Sequence, residues 1–499
     1  MNKIRKVLVA NRGAVAARVI RACRDLGLAS VAVYSEADRG ATHVRYADEA
    51  YAIGPAPAQD SYNNLEAILE VAAQSGAQAI HPGYGFLAED YRLAQACEEA
   101  GLLFVGPRPE TIALMSNKLA ARQKVAAAGV PVAPGTDEPL GDAALRQAAE
   151  GLGFPVVVKA AFGWGYRGIY FAKDAVELDE VLRRARREAR NRFGSDTLLL
   201  EKLIPNARHV EVTVMADNHG GMVHLGEHES SIQVHMQKVI EESPAATLDK
   251  ELRVKLCSAA LRVAQIVGYR NVGTVEFLLD AQGQLYFLGM NCRLQVEHAI
   301  TEMVTGIDLV ESQLRIADGE PLRYRQEEIA VRGHAIECRV LAQDPGRDFA
   351  PSIGAILALQ KPTGPGVRVE TGIYRGIEIT PHYDPLLANL IVWGGSRTEA
   401  IRRMQRALAE FRILGLHTNL PFHQRVLASS EFAQGSFSVR FGEQPRFRVE
   451  TEDQENMRAA AILATLVAHH DRQRSTFVGH DRTASSPWRV SGRWGGFRK

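Results

Sequence analysis

Apolar and polar positions alternate along the first hundred residues in a way that predicts strands separated by helices. KVLVA, SVAVY, AQAIHPG and LLFVGP are short apolar runs, and amphipathic helical patterns lie between them. The first helical pattern follows NRG and ends at Gly27, a residue that commonly terminates helices. We therefore predict a parallel βαβ opening and an open sheet with helices on both faces, in a first domain at about residues 1–113.

The pattern changes between residues 114 and 329. FPVVVKA, TLLLEKL, HVEVTVMA, GMVHLGE, TVEFLLD and QLYFLGM alternate apolar and polar residues, which predicts a mixed, largely antiparallel sheet. A third segment at about 330–445 opens with AVRGHAIECRVLAQ and contains a helical pattern at 397–411. The tail, 446–499, has a helical pattern near 454–473 and a Ser/Arg/Trp-rich end, for which disorder and a packed appendage both stay open.

Length and composition agree with several domains and exclude some classes of protein. A chain of 499 residues is too long for one hydrophobic core. A net charge of +1 provides no overall field for nucleic acid or an acidic membrane, and we expect neither as a partner. No apolar run is long enough to cross a bilayer, and no signal peptide is predicted.

The five cysteines are scattered and form no C-x-x-C pair, which argues against a disulfide framework and a structural zinc site. They are Cys23, Cys97, Cys257, Cys292 and Cys338. We therefore expect a reducing, cytoplasmic location.

A glycine-rich segment, VVKAAFGWGYRGIYF, contains the spacing G-x-G-x-x-G at Gly163, Gly165 and Gly168. A dinucleotide-binding turn leads from a strand into a helix, whereas this segment joins two predicted strands. The context favours a hairpin lying over nucleotide phosphates, since glycine lets backbone N–H groups approach phosphate oxygens closely. A plain hairpin without a ligand stays open at this point.

Seven longer segments carry a resemblance to a known family. NRGAVAARVIRAC, IHPGYGFLAED, FVGP, RHVEVTVMAD, MNCRLQVEH, TEMVTGIDLV and VRGHAIECR, in this order, closely resemble the biotin carboxylase component of acetyl-CoA, acyl-CoA and pyruvate carboxylases, within the ATP-grasp superfamily. The resemblance covers about residues 3–445. It implies a Rossmann-like preATP-grasp domain, an ATP-grasp domain with a mobile lid at about 132–203, and an α+β C-terminal domain.

The resemblance implies ATP-dependent carboxylation of biotin by bicarbonate through carboxyphosphate. Glu297 would be the base that deprotonates bicarbonate, while Arg293, Gln295 and the backbone of Val296 would bind this anion. At spacings of two on an extended segment, residues 293, 295 and 297 are expected to share one face.

The resemblance also assigns the remaining site residues. Lys238 would hold carboxyphosphate and Arg339 would stabilise the biotin enolate. Tyr84, Gly85 and Asp384 would complete the biotin pocket with Arg339. ATP would be bound by the glycine loop and by Lys118, Lys159, Glu201, Lys202, His209, Gln233 and Leu278, and Mg²⁺ or Mn²⁺ by Glu276 and Asn291.

The chain departs from the family pattern mainly at the nucleotide and metal end. Gly289 stands where the family has a metal-bridging glutamate, and Met236 where it has an ATP-contacting histidine. Other departures are Phe162, Trp164 and Tyr166 in the glycine loop, Val234 and His235 in place of arginines, and Asn389 in place of a lysine. One carboxylate near a divalent ion contributes roughly 8 kcal/mol before desolvation at an effective dielectric constant of about 20, so impaired activity is expected.

Two alternatives follow from these departures. The chain could be a non-catalytic or regulatory subunit that keeps the fold, or an ATP-grasp ligase with another acceptor. The second would leave the joint presence of Arg293, Glu297 and Arg339 without a reason.

The expected partners follow from a missing motif. The chain has no M-K-M biotin attachment site, so biotin is expected on a separate carrier protein, and a carboxyltransferase subunit is a further expected partner. The resemblance suggests a homodimer. In the tail, a candidate anchor set for docking is Trp488, Arg489, Arg493, Trp494 and Arg498.

Overall fold

The computed structural model describes residues 4–163, 168–448, 462–466 and 468–469. The chain divides into one compact unit at Met1–Arg448 and a second at Val449–Lys499. In the second unit, residues 462–466 and 468–469 are helical. The aromatic residues Trp164 and Tyr166, Gly165 and the candidate anchor set of the tail lie outside the described residues.

The first part of the chain forms the predicted open parallel sheet. Its strands pair in the order β3-β2-β1-β4-β5, and every described pair is parallel. The elements are β1 Lys6–Val9, α1 Gly13–Asp25, β2 Ala29–Tyr34, α2 Thr42–Tyr46, β3 Glu49–Ala52, α3 Leu65–Ser75, β4 Ala79–His81, α4 Tyr91–Glu99, β5 Leu103–Phe104 and α5 Pro109–Ser116. Gly27, at φ +70°, follows α1, as the sequence predicts.

A small antiparallel sheet with its own core follows. It comprises α6 Lys118–Ala127, α7 Asp142–Leu152, β6 Val156–Ala160, β7 Ile169–Ala172, α8 Ala175–Phe193 and β8 Leu198–Lys202, with strand order β7-β6-β8. Asp174 caps α8 by accepting the Glu177 N–H, and Gly194 at φ +72° ends it. The glycine-rich segment joins β6 to β7, so the predicted strand-to-strand context is confirmed.

The remaining long strands form an eight-stranded sheet, in which every described pair is antiparallel. Its order is β13-β12-β9-β10-β11-β14-β21-β19. The elements from its first half are β9 Arg208–Ala216, β10 Met222–Val234, β11 Gln237–Ser243, α9 Lys250–Ile266, β12 Asn271–Leu279, β13 Leu285–Asn291, α10 His298–Thr305 and α11 Leu309–Ala317.

The third segment completes this sheet. Its elements are β14 His334–Leu341, β15 Gln343–Asp344, β16 Ala350–Pro351, β17 Gly354–Ala355, β18 Ala358–Gln360, β19 Val367–Thr371, β20 Glu378–Ile379, β21 Leu386–Gly394, α12 Arg397–Glu410, β22 Arg412–Leu414, α13 Leu420–Ala428 and α14 Ser430–Gln434. The prediction of one mixed sheet for the second segment is therefore wrong. That segment supplies a separate three-stranded sheet and part of a larger one, whose other strands come from the third segment.

The eight-stranded sheet brings charges from distant parts of the sequence together. Helix α10 packs on β10, β11, β14 and β21, and Glu297 immediately precedes it. Among the described residues, none of the helices has both the length and the apolar character needed to cross a membrane.

Candidate active site

Glu297 lies at the centre of a buried cluster of charges. It is fully buried at the N-terminus of α10. Its carboxylate accepts hydrogen bonds from Lys238 Nζ at 3.0 Å and from Arg339 Nη2 at 2.9 Å. Burial alone would raise the pKa of Glu297, but the charges of Lys238 and Arg339 lower it well below its usual range. The residue is therefore an ionised carboxylate held between two cations.

Lys238 is surrounded by three carboxylates. Its Nζ lies 2.5 Å from Glu211, 3.0 Å from Glu276 and 3.0 Å from Glu297. Burial opposes the charge of this ammonium group, yet the three carboxylates raise the pKa of Lys238 above its usual range. The lysine stays protonated, and it links the three carboxylates of the cluster into one network.

Cross-strand register explains how these carboxylates meet. Glu276 on β12 pairs with Glu211 on β9, Glu211 pairs with His228 on β10, and Glu276 pairs on its other side with Gly289 on β13. These four positions form one row across the sheet. Opposite positions have Cβ atoms about 5 Å apart, so their side chains share one environment.

Sequence reasoning missed two members of this row, Glu211 and His228. His228 Nε2 lies 3.5 Å from Glu211 and 3.7 Å from Glu297. Burial would lower the pKa of His228, but the nearby carboxylates of both glutamates raise it to about 9. The available signal for Glu211 was its position among the apolar residues of HVEVTVMA, whereas the mostly polar segment HLGEHES gave no such signal for His228.

Arg293 and Gln295 connect to this cluster through a loop rather than a strand. The loop follows β13, and Glu297 has φ −78° and ψ 13°, so the predicted extended segment is wrong. Gln295 Nε2 donates to Glu211 at 3.0 Å. Arg293 Nε donates to Glu89 at 3.0 Å, and its Nη1 lies 3.4 Å from Gln295 Oε1. The side chains converge because the chain turns into α10, and not because they share the face of a strand.

Glu89 is a further residue that sequence reasoning did not identify. It accepts from Arg293 Nε and from the Cys292 N–H at 3.2 Å, and so fixes the start of the loop. Val296 is half-buried, and its carbonyl oxygen lies 3.1 Å from His298 Nδ1.

The predicted biotin residues come from three separate elements. Arg339, on β14, forms ion pairs with Glu241 and Glu297. The Tyr84 carbonyl accepts from Asn11 Nδ2 at 2.8 Å, Gly85 has φ +75°, and Asp384 accepts the Leu386 N–H at 2.9 Å. Burial raises the pKa of the Tyr84 phenol, with further contributions from Glu370, Glu337 and Asp384, and Arg339 opposes them. Tyr84, Arg339 and Asp384 therefore lie within electrostatic range of one another.

The predicted ATP residues line a pocket beside α6. It is lined by Met115, Lys118, Ala121, Arg122, Lys159, Glu201, Phe287, Leu288 and Gly289. Lys159 forms an ion pair with Glu201, and Lys118 Nζ donates to the Gly163 carbonyl at 2.6 Å. Burial and the charge of Lys159 lower the pKa of Lys118 to about 8. Two close cations of this kind favour an anionic ligand.

The other predicted ATP residues are not among those that line this pocket. Lys202 Nζ donates to the Gly153 carbonyl at 2.6 Å, ahead of β6. His209 Nδ1 lies 3.0 Å from Gln233 Nε2, and Leu278 is the cross-strand partner of His209. Arg122, which sequence reasoning missed, contacts Glu201 at 3.2 Å.

Gly163 and Gly168 hold conformations that favour glycine, at φ +144° and +80°. A Cβ at Gly168 would lie 3.0 Å from the Ala160 Cβ, so the turn leaves little space for a side chain. Phe162 is 38% exposed and forms a bridge with Asn117.

The predicted metal residues are adjacent to each other. Asn291 Nδ2 donates to Glu276 Oε1 at 2.7 Å, and Asn291 Oδ1 lies 3.3 Å from Arg293 Nη2. A Cβ at Gly289 would lie 3.8 Å from Glu276 Oε2, an ordinary van der Waals contact, so this position accepts a Cβ without a clash. In this arrangement the Asn291 amide nitrogen faces Glu276 and its oxygen faces Arg293. Rotation of the amide would place one carboxylate and one amide oxygen side by side, a donor set that fits Mg²⁺, which is commonly bound by one or two carboxylates plus substrate phosphates.

The departures at 234–236 have structural roles. His235 and Met236, at φ +50° and +61°, form the two-residue turn between β10 and β11. Val234 is buried in a hydrophobic core, where an arginine would need a partner for its charge.

Three protein families match consecutive parts of the chain. Residues 3–112 match "Biotin carboxylase, N-terminal domain", residues 117–325 match "Carbamoyl-phosphate synthase L chain, ATP binding domain", and residues 337–444 match "Biotin carboxylase C-terminal domain".

Individual relatives match over nearly their whole length. A pyruvate carboxylase subunit of Methanothermobacter thermautotrophicus is 46% identical over 482 residues, covering 96% of each chain. Biotin carboxylase of a Nostoc species is 46% identical, over 88% of this chain and 98% of the relative.

Two solved structures are similar in fold. The biotin carboxylase domain dimer of Hydrogenobacter thermophilus 2-oxoglutarate carboxylase, in complex with MgADP, ADP and bicarbonate, is 45% identical, with a TM-score of 0.88 over 91% of this chain and 100% of that one. Biotin carboxylase of Campylobacter jejuni is 40% identical, with a TM-score of 0.86 over 88% and 98% of the two chains.

The first prediction concerns the cation inside the carboxylate cluster. Lys238→Met leaves the buried Glu211 and Glu297 and the half-buried Glu276 without their shared cation, so we expect a loss of about 3–5 kcal/mol in unfolding free energy at pH 7. The depressed pKa of Glu297 gives stability above its unfolded-state pKa that is lost as pH falls. The deficit of the variant is therefore expected to shrink as pH falls toward about 4.

Urea unfolding at several pH values measures this deficit. Lys6→Met is the control, since Lys6 pairs with Glu49 at 2.6 Å in a partly exposed position and should cost at most about 1 kcal/mol. If the two variants lost equal amounts of unfolding free energy, independent of pH, the role of Lys238 in stabilising the carboxylate cluster would be contradicted.

Proposed function

This chain belongs to the biotin carboxylase family, and from that membership we propose that it carboxylates biotin with bicarbonate at the expense of ATP. The observation that carries this proposal is the buried Glu297 carboxylate, placed between Lys238 and Arg339. Lys238 also contacts Glu211, which accepts from Gln295, and Gln295 contacts Arg293. This arrangement offers one base, two cations and one guanidinium fork around a small anion.

The first step forms carboxyphosphate. Arg293, Gln295 and the Val296 backbone bind bicarbonate, while Glu297 takes its proton. The bicarbonate oxygen then attacks the γ-phosphorus of ATP, and the bond between the γ-phosphorus and the bridging oxygen breaks to release ADP. In the free protein Lys238 and Arg339 hold the pKa of Glu297 low. Anionic intermediates compete for both cations, which raises the proton affinity of Glu297 during the reaction.

The second step transfers the carboxyl group. Carboxyphosphate divides into CO₂ and phosphate, the phosphate takes the N1′ proton of biotin, and N1′ attacks CO₂. Arg339 stabilises the negative oxygen of the biotin enolate, and Lys238 stabilises the phosphate. Tyr84, Gly85 and Asp384 orient the biotin ring.

The ATP phosphates meet Lys118 and Lys159 in the pocket beside α6, under the glycine hairpin. Glu201, Lys202, His209, Gln233 and Leu278 are proposed to surround the rest of the nucleotide. Glu276 and Asn291 would hold Mg²⁺, which supplies charge neutralisation at the phosphates. The domain boundaries at 113, 329 and 445, and the lid at 132–203, are part of the same proposal.

The chain is proposed to act as one component of a larger carboxylase. Its relatives include the pyruvate carboxylase subunit of Methanothermobacter thermautotrophicus and the 2-oxoglutarate carboxylase small subunit of Hydrogenobacter thermophilus. A separate biotin carrier protein and a carboxyltransferase subunit would complete the reaction in the cytoplasm. A homodimer is proposed because the biotin carboxylase domain of that 2-oxoglutarate carboxylase is a dimer.

Gly289 supports the second candidate, a non-catalytic subunit. Only one of the two carboxylates of the family pattern remains at the metal position, as Glu276. An assay of ATP cleavage separates the two candidates. Cleavage that depends on bicarbonate and is stimulated by free biotin favours the biotin carboxylase over the non-catalytic subunit. Stimulation by another acceptor would favour a different ligase.

The second prediction tests the base. Glu297→Gln keeps the size of the side chain but cannot accept the bicarbonate proton, so we expect turnover to fall by about 10²–10⁴. ATP affinity should change only slightly, because Glu297 does not line the pocket beside α6. Bicarbonate-dependent release of ADP measures the turnover, and calorimetry of nucleotide binding measures the ATP affinity. A fully active variant would remove Glu297 from the mechanism.

The third prediction tests the metal position. Gly289→Glu adds a second carboxylate opposite Glu276, at a position that accepts a Cβ without a clash. Without metal, repulsion between the two carboxylates should lower Tm. With Mg²⁺ and ADP, affinity for the metal should rise on the order of tenfold or more, and turnover should rise with it.

Gly289→Gln is the matched control for size without charge. Metal-dependent thermal shifts and calorimetry report binding independently of activity. Tighter metal binding with zero turnover in both the natural chain and Gly289→Glu would support the non-catalytic subunit.

A further inference from the structure

Next to Arg339 the sheet buries a second carboxyl pair that the reaction described above does not use. We propose that Glu337 carries a proton at neutral pH and, together with Glu241, acts as a positioning residue for Arg339. The positioning role rests on the function proposed for Arg339. The protonation of Glu337 does not rest on that proposed function.

The strand register places these residues side by side. Glu241 on β11 is the cross-strand partner of Glu337 on β14, and Arg339 lies two positions further on the same face of β14. Carboxyl groups at directly opposite positions are close enough to interact. Arg339 forms an ion pair with Glu241 and donates to Glu297 at 2.9 Å. Its single positive charge is therefore already shared between two carboxylates, apart from any interaction with Glu337.

Glu337 itself lacks a cation of its own. It is fully buried, and neither of its carboxyl oxygens has a hydrogen-bond partner among the described residues. No lysine, arginine or histidine of the described chain forms an ion pair with it within 4.0 Å. An ionised carboxylate in such a place carries a large desolvation cost, and a carboxylic acid avoids that cost by keeping its proton.

The groups that face Glu337 are mostly acidic. Glu241, Glu297 and Glu370 act on it from β11, the start of α10 and β19, while Arg339 is the cation on its own strand and Tyr84 is a neutral phenol nearby. Asn389, the cross-strand partner of Arg339, is fully buried and uncharged, and its amide atoms also lack partners among the described residues. Excess negative charge around one arginine favours a neutral Glu337.

The proton affinities agree with this geometry. Burial raises the pKa of Glu337 well above its usual range, and the neighbouring Glu241 adds to the shift while Arg339 opposes it. Burial also raises the pKa of Glu241, to about 7, against the charge of Arg339. Glu337 therefore keeps its proton when Glu241 releases its own.

A neutral Glu337 has a consequence for Arg339. The guanidinium then divides its charge between Glu241 on one side and Glu297 on the other. Ionisation of Glu337 would add an anion on the Glu241 side and draw the guanidinium away from Glu297 and the biotin enolate. Activity is expected to fall as pH rises through the pKa of Glu337.

The fourth prediction uses Glu337→Gln, since an amide reproduces a neutral carboxyl group. Below about pH 4.3 the natural chain and the variant should be equally stable. Above this pH, the unfolded natural chain loses a proton that the folded chain keeps. Its unfolding equilibrium constant should therefore rise about tenfold per pH unit relative to the variant, until folded Glu337 ionises. The variant is expected to have the higher Tm at pH 7, with a difference that grows with pH.

Glu242→Gln is the matched control on the neighbouring strand β11. Glu242 is buried like Glu241, but His334 and Arg397 each contact it at 2.7 Å, and these groups lower its pKa against the effect of burial. This variant should lose stability at pH 7. Difference infrared spectroscopy supplies a direct readout: above about pH 8, where Glu241 has released its proton, a neutral carboxyl C=O band should persist in the natural chain and be absent from Glu337→Gln.

Three results would overturn the proposal. They are a missing carboxyl band, a stability difference that does not change with pH, and a Glu337→Gln chain that is less stable than the natural one or does not fold. Infrared and stability measurements use the protein without substrate, so their outcome is independent of the proposed catalytic activity. The positioning role is tested separately, because Glu337→Gln should retain turnover at high pH where the natural chain loses it, and identical pH profiles would exclude that role.

Discussion

The structure depends on keeping a carboxylate ionised inside the protein. Isolated buried charges are costly, and Glu297 is stabilised because Lys238 and Arg339 both contact it. Lys238 in turn requires Glu211 and Glu276, and Arg339 requires Glu241. The network has to be complete, since the removal of one member leaves another buried charge without compensation. We propose that the same cations bind anionic intermediates, so that the electrostatics that stabilise the fold also serve the chemistry.

The eight-stranded sheet is what makes this network possible. Its charged row draws residues from β9, β10 and β12, and β11 and β14 add Lys238 and Arg339. Because all described neighbours in the sheet are antiparallel, positions far apart in sequence lie opposite each other at about 5 Å between Cβ atoms. The small sheet with the glycine hairpin is separate, and it contributes Lys159 and Glu201 to the pocket beside α6.

Local periodicity could predict part of this architecture. The parallel opening, the strand-to-strand context of the glycine loop and the helix at 397–410 follow from patterns within a few dozen residues, and the structure confirms them. Strand pairing across the boundary near 330 could not be predicted, because alternation identifies strands without identifying their partners. For the same reason Glu211 and His228 could not be assigned to the site in advance, since their roles depend on register. Arg293, Gln295 and Glu297 were expected on one extended face, whereas a turn into α10 makes them converge.

The central claim is that bicarbonate is bound and deprotonated beside Glu297, within reach of the terminal phosphate of ATP. The most direct measurement follows oxygen-18 from labelled bicarbonate during ATP cleavage by the purified chain. Formation of carboxyphosphate predicts that one labelled oxygen appears in each phosphate released. Phosphate that takes its new oxygen only from water would contradict the account.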